Sequence, residues 1–593
     1  MNQKTLAMIS AAVVCLAAAL LLTLGCRNQR RPAGMGPAAG GVTPKQDHLT
    51  LALDYLSRLD EVDPQEGMIR TAYHLNRWIE DHEDEVPWQQ SPMLNGLPRE
   101  LRGIGPLAEL PKREFTTEDV MFLREVSWMQ SISERVSQQT TELGLDDWLD
   151  QVEQSRGEPH AYELAVAARL FDWTVRNIQL DELLPYPTAS AGSAEEGDSN
   201  TPRATSPLME AKPRPGYTAF TWQTLLFGRG DAWQRARVFI QLARQQQIDV
   251  VMLALDDARQ LPHPRPWLPA VLIDDQLYLF DAELGMPIPG PGGIGVATLE
   301  QVREDKDLLS NLDAGSSYPY APAKADLDEV VALIDASPGF LSQRMKLVDA
   351  QTATGQQLVL AVDPSGLAER VRQCEGISDV QLWHVPYETW VFRKARGPRE
   401  QEDPELIRRL MLDEWIFAGL TPMVQGRQLQ FRGRFENNGQ KKGAKAYYLE
   451  SRVPDAEIEQ IETSPEVQYR MGISRGRLND QQWQAKLLAQ KSMVTRIKRN
   501  VSYWMALIHY ETGNYEAAMN WLKTRTLEAA ADGPWTGGAR YNLSRVYEQM
   551  GDLEQARDVL LLDDSPQKHG NLLRARFLRK KLEAQGANTA DVD

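Results

Sequence analysis

Two short phrases near the C-terminus are near copies of each other. Gly513-Asn514-Tyr515-Glu516-Ala517-Ala518 and Gly551-Asp552-Leu553-Glu554-Gln555-Ala556 run through a glycine, a polar residue, an acidic residue and a small residue in the same order. Each follows a stretch of helical pattern bearing aromatic residues, Tyr503 and Trp504 in one and Tyr541 and Tyr547 in the other. A glycine supplies a turn that other residues resist, and an alanine lets a second helix approach the first closely. A chain written this way stacks helical hairpins on one another. Each unit buries its apolar face only against its neighbours, so two units need flanking helices to complete the stack.

On those residues the segment 485–585 resembles the tetratricopeptide repeat. The spacing of the copies exceeds that family's period, and a loop at Asp532-Gly533-Pro534 would account for the excess. Gly443-Ala444-Lys445-Ala446-Tyr447-Tyr448, with Pro454 after it, places a candidate degenerate copy in the helical segment 404–480. The resemblance implies a protein or peptide partner, with Tyr503, Trp504 and Tyr547 as the binding face of the array.

The chain has 593 residues, too many for one hydrophobic core, so several domains are expected. Its formal charge of −17 excludes nucleic-acid binding through a general electrostatic field. The basic run Lys491, Arg496, Lys498 and Arg499 reads as a solvated helix face. With Cys15, Cys26 and Cys374 as the three cysteines, the folded part has one thiol and no disulfide framework. Eight scattered histidines form no His-x-x-x-His pair, so neither a metal nor a cofactor is expected. The acidic run Glu80–Glu85 reads as a solvated helix end, and Trp78, Trp88, Trp128, Trp148 and Trp173 as core residues.

Ala7 to Gly25 is almost wholly apolar behind Lys4, which marks 1–26 as a signal peptide or membrane anchor. Leu22-Thr23-Leu24-Gly25-Cys26 resembles a bacterial lipobox, which implies lipidation of Cys26; an uncleaved span is equally open, since the run is long enough to cross a bilayer. Arg27, Arg30 and Arg31 oppose export of the chain on their C-terminal side, so orientation stays open. Residues 27–47 read as a flexible tether, rich in Gly, Pro and Ala. Helical patterns fill 48–158.

Residues 185–215 carry Pro, Ser, Gly and acidic residues with few large apolar ones, and read as a disordered insertion or a linker. Beyond them, Gly228-Arg229-Gly230-Asp231-Ala232-Trp233 leads into a helical pattern. Val250–Leu255 reads as a buried strand, and Leu268–Ile273 with Leu277–Phe280 as a hairpin ending at Asp281. Gln357–Val362, Leu367–Arg372 and Val380–Val385 read as strand, helix and strand of a small α/β module over 325–400, with Tyr387–Arg393 as a further strand.

The stretch Gly228–Asp281, within 159–305, resembles the transglutaminase-like (papain-related) core. In that family a Gly-rich turn delivers a Cys to a helix N-terminus, where the thiol pKa is lowered, and a His and an Asp lie beyond it on two strands. The resemblance sets Ala232 at the Cys position and Asp281 at the Asp position. Counting back from Trp267 reaches Arg265 for the imidazole, with His263 the nearest histidine. The catalytic set is therefore expected to be vestigial: Ala232, His263 and Asp281. A separate Cys374 site with His384 and Asp379 or Glu375 is the alternative source of thiol chemistry.

The expected fold is a helix-rich, multidomain α+β protein: a transglutaminase-like α+β core with a C-terminal all-α helical-repeat array. The expected function is a non-enzymatic, envelope-anchored scaffold or peptide-binding protein on the periplasmic side of a bacterial membrane. The alternative is a thiol peptidase or acyl-transferase using Cys374 or another nucleophile. Partner identity and oligomeric state are left open by the sequence.

Overall fold

The structure, a computed structural model, describes residues 47–59, 61–80, 86–139, 143–184, 215–255, 264–324, 327–352, 358–394 and 413–590. The 1–26 segment with Cys15 and Cys26, the tether except Asp47, the insertion except Pro215, His263, and the acidic run after Glu80 lie outside the described residues.

The described chain is helix-rich α+β and divides into two compact units: His48–Arg452 with Ile497–Asp593, and Val453–Arg496. In the smaller unit the helices Asp455–Gln460 and Pro465–Arg470 and the first part of helix Asp480–Glu511 close around Ile458, Ile461, Val467, Ile473 and Leu487.

The larger unit is organised by a mixed six-stranded sheet. Two short parallel strands, β1 (Gln179–Leu180) and β2 (Arg229–Gly230), stand apart from it. The sheet itself contains β3 (Asp249–Leu255), β4 (Arg265–Ile273), β5 (Gln276–Asp281), β6 (Met286–Pro287), β7 (Val330–Ile334) and β8 (Ile377–Leu382), in the order β6-β5-β4-β3-β7-β8. The pairings among β3, β4 and β5 and between β3 and β7 are antiparallel; β7 and β8 run parallel. The central β3 reads as an unbroken apolar run because both of its faces are covered. Asp274 takes a left-handed φ of 54° in the β4–β5 turn, a conformation that Asp tolerates better than most residues.

Alternation along β5 shows how the two faces are filled. Leu277 and Leu279 join Leu94, Leu97, Leu101, Ile104 and Leu107 from the short helices ahead of the sheet. On the opposite face Phe280 meets Phe171 at 5.1 Å and Phe239 at 5.6 Å between ring centres, so one aromatic cluster joins β5 to helices Glu158–Asn177 and Ala232–Arg244. A second apolar cluster lies among helices His48–Ser57, Pro64–Glu80 and Thr117–Ser137, closed by Phe340, Met345 and Val348.

Several expectations need correction here. The strands expected for a 325–400 module are not a separate sheet: β7 and β8 extend the one that carries β3–β6. Val330–Ile334, unassigned from sequence, is the strand that makes the join. Val385–Lys394 is a helix where Tyr387–Arg393 was expected as a strand. Tyr387 is wholly buried there, and its hydroxyl donates to the Ala336 carbonyl at 2.6 Å. Leu358–Val362, within the stretch expected as a strand, is irregular.

Candidate functional site

Helix Ala232–Arg244 starts where the Gly-rich turn delivers it, and Asp231 is its N-cap. Asp231 Oδ1 accepts from the Trp233 and Gln234 N–H groups at 3.1 and 2.9 Å, and Oδ2 accepts from Gly216 N–H at 2.7 Å. Gln234 returns the contact, its Oε1 accepting from Asp231 N–H at 3.0 Å, so the first turn is closed by a reciprocal capping box. Burial pushes the Asp231 carboxyl up to about 6, against the pull of those backbone donors. Ala232 is buried beside it and offers only a methyl group.

Asp281 ends β5 with its carboxylate fully engaged. Oδ1 accepts from Glu283 and Leu284 N–H, each at 2.8 Å, and Oδ2 accepts from the Tyr320 hydroxyl at 2.6 Å. That phenol oxygen in turn accepts from Trp267 Nε1 at 2.8 Å. The partner of Asp281 is therefore a phenol, where the expected vestigial set would put an imidazole. Tyr320 comes from the turn before β7 and has no signal in the β-hairpin sequence. Burial raises the Asp281 carboxyl above its ordinary range. Glu283 reaches solvent, yet partial desolvation and then the charge of Asp281 push its carboxyl up to about 7, with Arg265 pulling the other way.

Cys374 is buried, and its thiol contacts the Arg370 carbonyl at 3.9 Å. Burial raises that thiol to about 11, which leaves almost no thiolate at neutral pH. His384 Nδ1 lies 3.1 Å from Glu388 Oε2 on its own helical turn. Among the described residues no cluster of His, Cys, Asp and Glu could hold a metal.

The two C-terminal phrases adopt the same geometry. Gly513 and Gly551 turn the chain with φ of 72° and 79°. Asn514 and Asp552 then cap helices Tyr515–Leu522 and Leu553–Leu561, accepting from Ala517 N–H at 3.2 Å and Gln555 N–H at 3.1 Å. Ala518 and Ala556 are fully buried where each second helix meets the first. A π-helical turn, Lys523–Leu527, and the bend before helix Thr536–Gln549 take up the extra length between copies. Helix Lys568–Ala590 then packs on Leu553–Leu561.

Residues 538–562 match the tetratricopeptide repeat family. No curated protein and no solved structure matches the chain. A repeat of this kind is a protein–protein interaction element, which gives this part of the molecule an interaction or scaffold role.

The aromatic residues expected to face a partner do not. Tyr503 and Trp504 are wholly buried and Tyr547 nearly so, a correction to the expected binding face. Tyr503 and Trp504 are covered because the array is docked on the sheet-bearing part of its own chain. Tyr503 stacks on Trp535 with ring centres 4.6 Å apart, and its hydroxyl donates to the Arg176 carbonyl at 3.3 Å. Asn542 Nδ2 reaches that same carbonyl at 3.0 Å. Trp504 carries the guanidinium of Arg427 on its ring at 4.5 Å, and Arg427 Nη2 donates to the Leu225 carbonyl at 3.0 Å.

The contact with the Asp281 region is equally direct. Arg235, three residues beyond Ala232, is buried and donates through Nη1 to the Ala282 carbonyl at 2.9 Å and to Gln567 Oε1 at 2.7 Å. Gln567 Nε2 then donates to the Leu284 and Glu283 carbonyls at 2.6 and 3.3 Å. Sequence periodicity marks neither Gln567 nor Asn542, because a polar residue that satisfies a distant carbonyl looks like any other surface amide.

Proposed function

We propose that this protein is a non-enzymatic scaffold, held at a bacterial membrane through 1–26 and engaging a protein or peptide partner through its C-terminal helical array. In this reading Gly228–Asp281 is a transglutaminase-like core that has lost its nucleophile. What supports the proposal is the chemistry at two positions the resemblance assigns to the catalytic set: a methyl group at Ala232, and a Tyr320 hydroxyl on the carboxylate of Asp281. A helix N-terminus followed by an antiparallel hairpin supports the family reading, and the match at 538–562 supports the partner. The buried, unionised Cys374 argues against the thiol-enzyme alternative. On the anchor, the Gly25-Cys26 ending fits lipidation at Cys26 on the periplasmic side, with an uncleaved span as the equal alternative.

Washed membranes from cells making the full chain test the reading. The chain sediments with them, and a labelled primary amine is not transferred to an acyl-donor protein by the native chain or by Ala232→Cys. The variant stays inactive in this reading because, among the described residues, the side-chain partner of Asp281 is the Tyr320 hydroxyl and not an imidazole. Amine incorporation by the native chain overturns the pseudo-enzyme reading; a freely soluble full chain overturns the anchor.

A further inference from the structure

The last helical hairpin carries a surface that its own chain leaves uncovered. Leu561, Leu572, Leu573 and Ala575 line a recess of about 290 Å³ between helices Leu553–Leu561 and Lys568–Ala590, closed at one side by Ala314 and Gly315. Leu561 is 52% exposed, and Leu562 and Phe577 on the same segment are 69% and 52% exposed. The outer face of a terminal repeat is ordinarily polar, because nothing stacks on it. Large side chains left half in water there mark a contact surface.

The charge at this place runs against that of the whole molecule. In a chain of net −17, the stretch Lys568–Lys581 carries Lys568, Arg574, Arg576, Arg579, Lys580 and Lys581 with no acidic residue between them. Arg574 is held by Glu548, with Nη2 2.6 Å from Oε2, and Arg576 donates to the carbonyls of Asn311 and Asp313. Arg579 has only a loose 3.7 Å approach to Glu583, and among the described residues no ion pair forms at Lys580 or Lys581. Arg579 borders the apolar recess, as does Arg557, which is paired with Asp558 at 2.7 Å.

We infer that this recess docks an acidic helical segment of a partner protein, one large apolar side chain entering between Leu561 and Leu572 while carboxylates meet Arg579 and Lys580. The inference rests on the scaffold reading above and names the chemistry of its partner. Acidic lipid is the other class that meets basic, apolar surfaces, but a recess receives a projecting side chain, which a lipid surface does not offer.

The test uses the full chain in detergent and three probes: a fluorescein-labelled peptide of glutamates with leucines at helical spacing, the same peptide with lysine for glutamate, and phosphatidylglycerol vesicles. Anisotropy should show binding of the acidic peptide alone, weakening as salt rises. Leu561→Asp and Arg579→Glu should each weaken it by about tenfold or more, and Arg579→Glu should gain binding of the lysine peptide. Both residues are more than half exposed, so melting should not change in either variant. No binding of the acidic peptide, equal binding of both peptides, binding to vesicles alone, or unchanged affinity in the variants overturns the inference. Cross-linking in the cell separates the two readings. A protein partner captured by the array, with the acidic peptide failing, leaves the scaffold and removes this recess; no captured protein together with no peptide binding removes both.

Discussion

Gly570 sits in the first turn of helix Lys568–Ala590, with an ordinary helical backbone. Helix propensity alone says that Gly570→Ala should stabilise the protein, by up to about 1 kcal/mol. The tertiary structure says the opposite. A methyl group there would overlap the Leu284 carbonyl oxygen and come within 2.6 Å of its carbon, with Gln567 Nε2 at 2.9 Å. The Leu284 backbone cannot swing away as a side-chain end would, so overpacking costs about 2–3 kcal/mol, the upper part of its usual range. If the helix instead retreats, it loosens the Gln567 bonds to Leu284 and Glu283 and the charged bond from Arg235. Those are worth about 1 kcal/mol each when neutral and about 1.5–3 when charged. With the propensity gain subtracted, the net loss is about 1–4 kcal/mol, borne by the docking of this helix. Because a chain of this size need not unfold in one step, hydrogen exchange within Lys568–Ala590 is the direct assay, with urea denaturation beside it. Protection in that helix should fall by one to three orders of magnitude, at about 1.4 kcal/mol per order. A neutral or stabilised variant with unchanged protection would refute the close-approach argument.

Two more predictions concern the Asp281 region. Tyr320→Phe removes the donor that Asp281 Oδ2 accepts from at 2.6 Å and leaves a buried carboxylate oxygen short of a partner. It should destabilise the protein by about 1–3 kcal/mol, read in urea denaturation, and an unchanged midpoint would mean that this bond has no net worth. Glu283 has its folded pKa raised to about 7, above its ordinary value of 4.5, so the folded state binds this proton more tightly than the unfolded one. Its ionised form therefore weighs against folding above about pH 7, and the effect fades as pH falls toward 4.5. Glu283→Gln should raise the melting temperature at pH 8 and leave it unchanged near pH 5; the same shift at both values would sink the assignment.

The C-terminal repeat was legible because its determinants are local. A turn glycine, a side-chain cap and a small buried alanine recur at fixed offsets, and the first two act on residues within four positions of themselves, as Gly551 and Asp552 do, while Ala556 meets the helix just before them. The hairpin of β4 and β5 and the helix beginning at Ala232 were legible for the same reason. The Val385–Lys394 helix was misread because its alternation of large residues also fits a strand. What decides it is where Tyr387 finds its carbonyl partner, on Ala336, far away in sequence.

By itself the sequence determined the helical hairpins, the short antiparallel core and the acidic balance of the chain, since these depend on residue type and spacing along a few turns. Only the tertiary structure decided that β7 and β8 belong to the same sheet as the hairpin, and that a phenol completes Asp281. It also decided that Tyr503, Trp504 and Tyr547 face inward. Each of those outcomes depends on which buried polar or aromatic group meets which distant backbone oxygen, and neither propensity nor periodicity encodes pairings made across hundreds of residues.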